Sequence, residues 1–280
     1  MKDGRNIGSI VGTSALGLAM LVAAASITGL SMMAQESAPT ARAVRLSSVE
    51  GQVQLSQGAT VLAAQAPANA PLFEGTQITS SDDGRAEVQF EDGSVARISP
   101  NSSLTLTVLR QDGSSTDTEL TLNSGLGYFE LQGEAPNGRI RVKFGDSTVS
   151  ANGFTVFRIN LDNPPGELAV FSGNANLENN NSLALDLHGG ESVRPNSADS
   201  SNYALNESIE PNSWDAWNSD RDQTLTSEEA AKTAATTSVP NSNNPAWSDL
   251  DANGNWYNVP GQGYVWSPYE AQNTGWDPYG

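Results

Sequence analysis

At 280 residues, with 26 Gly, 14 Pro and only 16% charged side chains, the chain has room for one or two domains with a buried core, and its composition is that of a turn-rich, all-β exported protein. A formal net charge of −18 leaves no basic stripe for phosphates, so nucleic acid and anionic lipid are poor partners. With no cysteine there are no disulfides, thiolate catalysis or Cys-based metal sites, and the sole histidine, His188, stands in the turn sequence Leu187-His188-Gly189-Gly190.

Lys2 and Arg5 precede an uncharged run from Asn6 to Gln35, the pattern of an export signal, with cleavage expected after Ala34. The run also exceeds the ~20 residues that span a bilayer, so an uncleaved inner-membrane anchor is the alternative. Residues 1–34 are therefore read as a signal peptide or apolar anchoring helix and 35–43 as a linker. The bulk of the chain is expected to be periplasmic or secreted.

From Val44 to about Pro195 short apolar alternations recur between Gly, Asn and Asp turns. Leu104, Leu106 and Val108 alternate with threonines; Ile140, Val142 and Phe144 share one face; Leu168-Ala169-Val170-Phe171 and Leu183, Leu185, Leu187 follow. No window has helical spacing, so 44–195 is read as an all-β domain of stacked antiparallel hairpins, a double-sheet sandwich in preference to a solenoid. Gly51-Gln52-Val53-Gln54-Leu55 is faintly echoed by Gly173-Asn174-Ala175-Asn176-Leu177. Within the domain, Gly84 to Ser102 spells out a hairpin. A three-residue Glu91-Asp92-Gly93 loop with Gly93 at φ > 0 sets Phe90 opposite Ser94, Val88 opposite Ala96 and Ala86 opposite Ile98. Glu87 then faces Arg97 on the polar side, a cross-strand pair worth ~0.2–1 kcal/mol. Pro100 ends the second strand.

Phe90, Asp92, Gly93, Ser94, Arg97, Pro100, Asn101, Ser102 and Leu104 spell a pattern that resembles the core of the FecR domain family. The resemblance extends more loosely from Val44 to Pro195. It implies an extracytoplasmic β-domain of the kind found in the outer half of transmembrane sigma-factor regulators. Those regulators hold the sigma factor with a cytoplasmic helical arm, for which six residues ahead of the apolar run leave no room.

The segment 196–280 is acidic and Asn/Ser-rich, with 12 Asp and Glu against Arg221 and Lys232, and it holds all six tryptophans. It is expected to be largely irregular, its one helix running from Thr226 to Ala235 with Ser227 as cap. The run from Trp247 to Gly280, with Trp256, Tyr264, Trp266 and Trp276, resembles a Trp/Tyr/Pro/Gly-rich module that accompanies FecR-type domains in exported bacterial proteins. Two stretches partly match the EF-hand loop: Asn218, Asp220, Asp222, Thr224 and Glu229, and Asp249, Asp251, Asn253 and Gly254. Gln223 in the first and Pro260 in the second occupy essential positions, so both are read as solvated acidic turns, with no metal and no cofactor.

The leading function is a non-enzymatic exported protein whose β-domain binds a protein or cell-envelope partner, with a role in envelope signalling but without a sigma-factor-binding arm of its own. The alternative is carbohydrate or peptidoglycan binding on Trp247, Trp256, Tyr264, Trp266 and Trp276, although these rings also suit a small core of their own. A glycosidase using Glu87 and Glu91 is the third, disfavoured because the hairpin already explains both residues and nothing converges on them.

Overall fold

The computed structural model describes residues 42, 44–113, 115–133, 138–162, 166–179, 184–195, 202–230, 234–237, 246–273 and 275–276, all within the unit Ala38–Gly280. The expected N-terminal helix and nearly all of the linker lie outside the described residues.

Two nine-stranded sheets, A and B, take the chain alternately. β1 (Arg45–Glu50) lies in A; β2 (Val53–Gln57) and β3 (Thr60–Ala63) in B; β4 (Ala70–Pro71) in A; β5 (Thr76–Ser80) in B; β6 (Arg85–Gln89) and β7 (Val95–Ile98) in A. β8 (Ser103–Asp112) and β9 (Ser115–Ser124) return to B, β10 (Leu126–Leu131) to A, β11 (Gly138–Phe144) and β12 (Ser147–Ala151) to B, and β13 (Thr155–Asn160) and β14 (Glu167–Ser172) to A. β15 (Asn174–Asn179) and β16 (Ala184–His188) finish B, and β17 (Ser192–Pro195) and β18 (Tyr203–Asn206) finish A. Sheet A runs β18-β17-β14-β13-β10-β7-β6-β1-β4 and sheet B runs β16-β15-β12-β11-β9-β8-β5-β2-β3. Pairing among these described strands is antiparallel except between β9 and β11. The fold is the double-sheet sandwich, built from hairpins laid down on one sheet and then the other.

Alternation along the strands dictates this arrangement, because each second side chain must find the other sheet. Leu104, Leu106, Leu120 and Leu122 from B meet Ala86, Val88, Phe129, Phe157 and Ile159 from A in one core, where Phe129 and Phe157 stack at 5.2 Å. Each leucine, valine, isoleucine or phenylalanine among them contributes about 1.5–3 kcal/mol by leaving water.

The glycine echo has a structural cause. Gly51 (φ 61°) and Gly173 (φ 79°) both stand where the chain steps from A into B, onto β2 and β15, the second strands from either end of sheet B. A Cβ would lie 2.2 Å from the Asp83 carbonyl oxygen at Gly51 and 2.2 Å from that of Phe154 at Gly173. Only glycine permits so close a crossing.

The β6–β7 hairpin has the expected register: Ala86 opposite Ile98, Glu87 opposite Arg97 and Val88 opposite Ala96. Phe90 N–H donates to Ser94 O at 3.0 Å, Gly93 has φ 87°, and the Asp92 carboxylate accepts from Ser94 N–H at 2.8 Å. Gly93→Val should cost about 1–3 kcal/mol, since a β-branched residue is strained at that φ; an unchanged urea midpoint would show that the turn tolerates it.

The segment beyond residue 206 departs from the irregular chain anticipated for it. It forms α1 (Asp215–Ala230), a short α2 (Ala234–Thr237), α3 (Ala246–Asn253) and a hairpin of β19 (Gly254–Val259) and β20 (Gly263–Pro268), followed by a 3₁₀ turn at Tyr269–Gln272. The helix expected over Thr226–Ala235 begins eleven residues earlier, at Asp215. Ser227 lies inside it rather than capping it, its hydroxyl donating to Gln223 O at 2.8 Å. The true start is set by Asn212 and Asp215: Asp215 Oδ2 accepts from Asn212 N–H and Asn212 Oδ1 from Trp214 N–H, at 2.8 and 2.9 Å.

Candidate functional site

The outer face of sheet A, turned away from the core, is a row of charged side chains covered by α1. Glu87 on β6 and Arg97 on β7 lie side by side, with Arg97 Nε donating to Glu87 Oε2 at 2.8 Å. Their side chains are 0% and 1% exposed, so the pair on the polar side of the hairpin is fully buried. The reason is α1. Arg221 donates from the helix to both Glu87 oxygens, at 2.8 and 3.2 Å, and Arg97 Nη1 donates up to Asn218 Oδ1 at 2.6 Å and to Asp222. Burial works to raise the Glu87 pKa, but hydrogen bonds and charge from Arg221 and Arg97 together outweigh it and hold the carboxyl below its ordinary value.

A second hub lies further along the sheet. Arg158 on β13 donates from Nη1 to both oxygens of Asp215, at 2.6 and 2.8 Å, and from Nη2 to Glu167 on β14 at 3.2 Å and to Glu210 O at 2.9 Å. Tyr128 on β10 donates its hydroxyl to Asp215 at 2.8 Å. Burial and that bond raise the Tyr128 pKa well above the usual phenol range, and burial of Arg158 is overcome by Asp215, which raises its pKa further. Arg194 on β17 closes the far side of Glu167. At the other end of the row, Arg85 lies under the rings of Trp214 and Trp217, 5.4 and 5.7 Å from their centroids, and the two indoles meet edge to face at 6.2 Å.

Between the hubs stands Glu130 on β10, 3.9 Å from Arg97 and hydrogen-bonded to Asp222. Burial, then the bond to Asp222 and the repulsion of Asp222 and Glu87, push its pKa up to about 8 against the pull of Arg97. Among the described residues, the carboxyls of Glu87, Glu130 and Asp222 are thus gathered around the guanidinium groups of Arg97 and Arg221.

The residues singled out in the sequence lie elsewhere or serve other ends. Trp256 and Trp266 face each other across the β19–β20 hairpin, half-buried; their indole N–H groups donate to Asp251 Oδ1 at 2.8 Å and to Leu250 O at 2.7 Å, and Trp247 packs 6.3 Å from Trp256. Tyr264 and Trp276 are exposed. Asp92 and Gly93 form the hairpin turn. Asn218, Asp220, Asp222 and Thr224 lie within α1, and Asp251 and Asn253 within α3, so neither Asp-rich stretch is the turn expected of it. In a helix, residues two apart point about 200° apart, which scatters the EF-hand ligand set. Asn218 and Asp222, four apart, instead share the face on Arg97, and Asp251 accepts from Thr236 Oγ1 at 2.8 Å as well as from Trp256. The carboxylates weighed for glycosidase chemistry are both engaged, Glu87 by Arg97 and Arg221 and Glu91 by Arg42.

Tyr128, Glu130, Arg158, Glu167, Asp215 and Arg221 were not singled out from the sequence. Two signals point to them in retrospect: long charged residues at alternate outward positions of several strands in a chain of low charge content, and the Asn212-x-x-Asp215 helix start. Trp256→Ala and Trp266→Ala should each lower the thermal stability of the C-terminal hairpin, because each removes an indole whose N–H is spent internally. Unchanged hydrogen exchange in β19 and β20 would contradict this.

The sequence model of the family described as FecR protein matches residues 76–176, from the start of β5 into β15. The matched span includes the hairpin turn and the strands carrying Glu87, Arg97, Tyr128, Glu130, Arg158 and Glu167; α1 and the C-terminal hairpin lie outside it. Two crystal structures of a protein from Parabacteroides distasonis ATCC 8503, proposed to be an anti-sigma factor, at 1.65 and 2.50 Å resolution, are similar over 47% of this chain and 59% of theirs, with 13% identity and a TM-score of 0.39 each. The chain thus spans 59% of the length of those structures. None of the curated proteins matches it.

Proposed function

We propose that this chain, which carries a FecR domain, is a non-enzymatic exported protein whose β-sandwich binds a protein partner in the cell envelope and takes part in envelope signalling. The FecR match across β5–β15 carries the reading. The best surface for it is the outer face of sheet B, since α1 occupies that of sheet A. There Arg141 and Lys143 on β11 lie against Asp117 and Glu119 on β9, at 3.2 Å for Arg141–Asp117 and 3.0 Å for Lys143–Glu119. Thr107 and Thr121 bond across at 2.6 Å, and Asn123 donates to Thr105 at 2.8 Å. Such a flat face of mixed charge and hydrogen-bonding groups suits the polar surface of a folded partner. Among the described residues no helix is long and apolar enough to cross a membrane.

A photocrosslinker at exposed Thr107 in cells is expected to yield one defined protein adduct, lost in the Arg141→Glu/Lys143→Glu variant. Absence of any adduct, an adduct that survives the double substitution, or hydrolytic activity of the purified chain would overturn the reading.

Exposed rings favour one alternative. Tyr257, Tyr264, Tyr269 and Trp276 offer stacking surface for a glycan on the C-terminal segment. Retention on peptidoglycan that falls in Tyr257→Ala and Tyr264→Ala would support it in place of the protein partner.

A further inference from the structure

We propose that α1 is a proton-dependent clasp: it stays docked on the charged face of sheet A while the Glu130–Asp222 pair holds a proton, and loss of that proton loosens it without unfolding the sandwich.

The docking surface is unusual in what it lacks. The side chains that α1 sends to the sheet are Asp215, Asn218, Arg221 and Asp222, and what they meet is Tyr128, Arg158, Arg97 and Glu87. Aromatic cover among the described residues comes from Trp214 and Trp217 over Arg85 and from Phe171 beside Tyr128 and Arg158. A helix held by ion pairs over a charged sheet depends on the charges balancing, whereas the sandwich beneath is held by its own apolar core.

Among the described residues the carboxyls of this cluster outnumber its guanidinium groups. Around Glu130 stand Glu87 from β6, Arg97 from β7, and Arg221 and Asp222 from α1; its neighbour on β13 is the uncharged Val156. Arg158 and Asp215 are matched within the second hub, beside Tyr128 on β10, and Arg85 at the rim is paired with Glu50. Three carboxyls therefore face two guanidinium groups, and a third negative charge would sit against Asp222 on the helix, repelling the element it now holds by a hydrogen bond.

The direction follows from linkage. The docked state raises the Glu130 pKa from 4.5 to about 8. Docked protein therefore binds more protons than undocked protein between those values, and docking weakens as pH rises through them, by up to about tenfold per unit, then levels off. Glu87, with its pKa lowered, changes its contribution only below its ordinary value of 4.5, and Tyr128 only above 10, so neither overlaps this window. Release uncovers Arg97 and Arg158, two guanidinium groups already shaped to carboxylates, within the FecR-matched strands.

Hydrogen exchange of the whole exported chain between pH 5 and 8.5, corrected for intrinsic rates, tests this. Protection of the α1 amides is expected to fall by up to about tenfold per pH unit up to pH 8 while β6, β7 and β10 keep theirs, and Glu130→Gln, which mimics the protonated carboxyl, should abolish the slope. Asp222→Asn should also flatten it, and serves if the glutamine variant fails to fold. Protection of α1 that does not change with pH in the unaltered protein, or a slope that survives in either variant, would overturn the proposal.

Discussion

Replacing Arg97 with methionine is expected to destabilise the protein by about 3–5 kcal/mol, measured as a shift of the urea midpoint at constant m-value. Arg97 is 1% exposed and serves Glu87, Asn218 and Asp222 at once. Its loss leaves the fully buried Glu87 carboxylate with Arg221 as its one remaining cationic partner among the described residues. The cost is mainly that of uncompensated buried charge, not of one missing contact. Glu87→Leu combined with Arg97→Met should therefore cost less than the two single substitutions added together, because the double variant removes the charge along with its partner. A loss below ~1 kcal/mol for Arg97→Met would put the pair with ordinary surface ion pairs.

The same substitution should alter acid stability. Glu87 has its pKa held below 4.5 in the fold, so it contributes stability that is present above that value and lost as pH falls through its lower folded value. Without Arg97 the depression shrinks, and less of the acid-side loss below about pH 4.5 remains to be seen.

How much of this was legible depends on which force shaped each part. The hairpin register could be read residue by residue because alternation, an Asp92-Gly93 turn and a cross-strand charge pair all agree on one pairing. The sandwich followed from the same period-2 pattern. The glycine echo was visible, but its cause was not: Gly51 and Gly173 mark passage between sheets, a relation between strands far apart in sequence. The covered face of sheet A was misread for a physical reason. Hydrophobic periodicity detects elements that bury apolar stripes, whereas α1 buries Asp215, Asn218, Arg221 and Asp222, so its inward face has the composition of a solvated one. The EF-hand spacing in the same stretch drew attention to those acids, yet the 3.6-residue turn divides them between sheet and solvent.

Phe157→Ala is expected to remove about 3–5 kcal/mol, while Phe154→Ala, three residues earlier, should stay within ~0.5 kcal/mol. The two phenylalanines differ only in where the strand puts them. Phe154 precedes β13 and is 50% exposed, whereas Phe157 is 0% exposed, opposite Phe129 in the β10–β13 pairing and stacked on it with 23° between the rings. Truncation at 157 leaves a cavity walled by well-paired strands of sheet A and by the leucines of sheet B, which cannot close over it without breaking ladder hydrogen bonds. Because both sheets contribute to one core, the loss should shift a single cooperative unfolding transition of the sandwich. Two separate transitions in calorimetry, one for each sheet, would show that the core does not couple them, and a cost below ~1 kcal/mol would mean that Phe129 and its neighbours repack into the space.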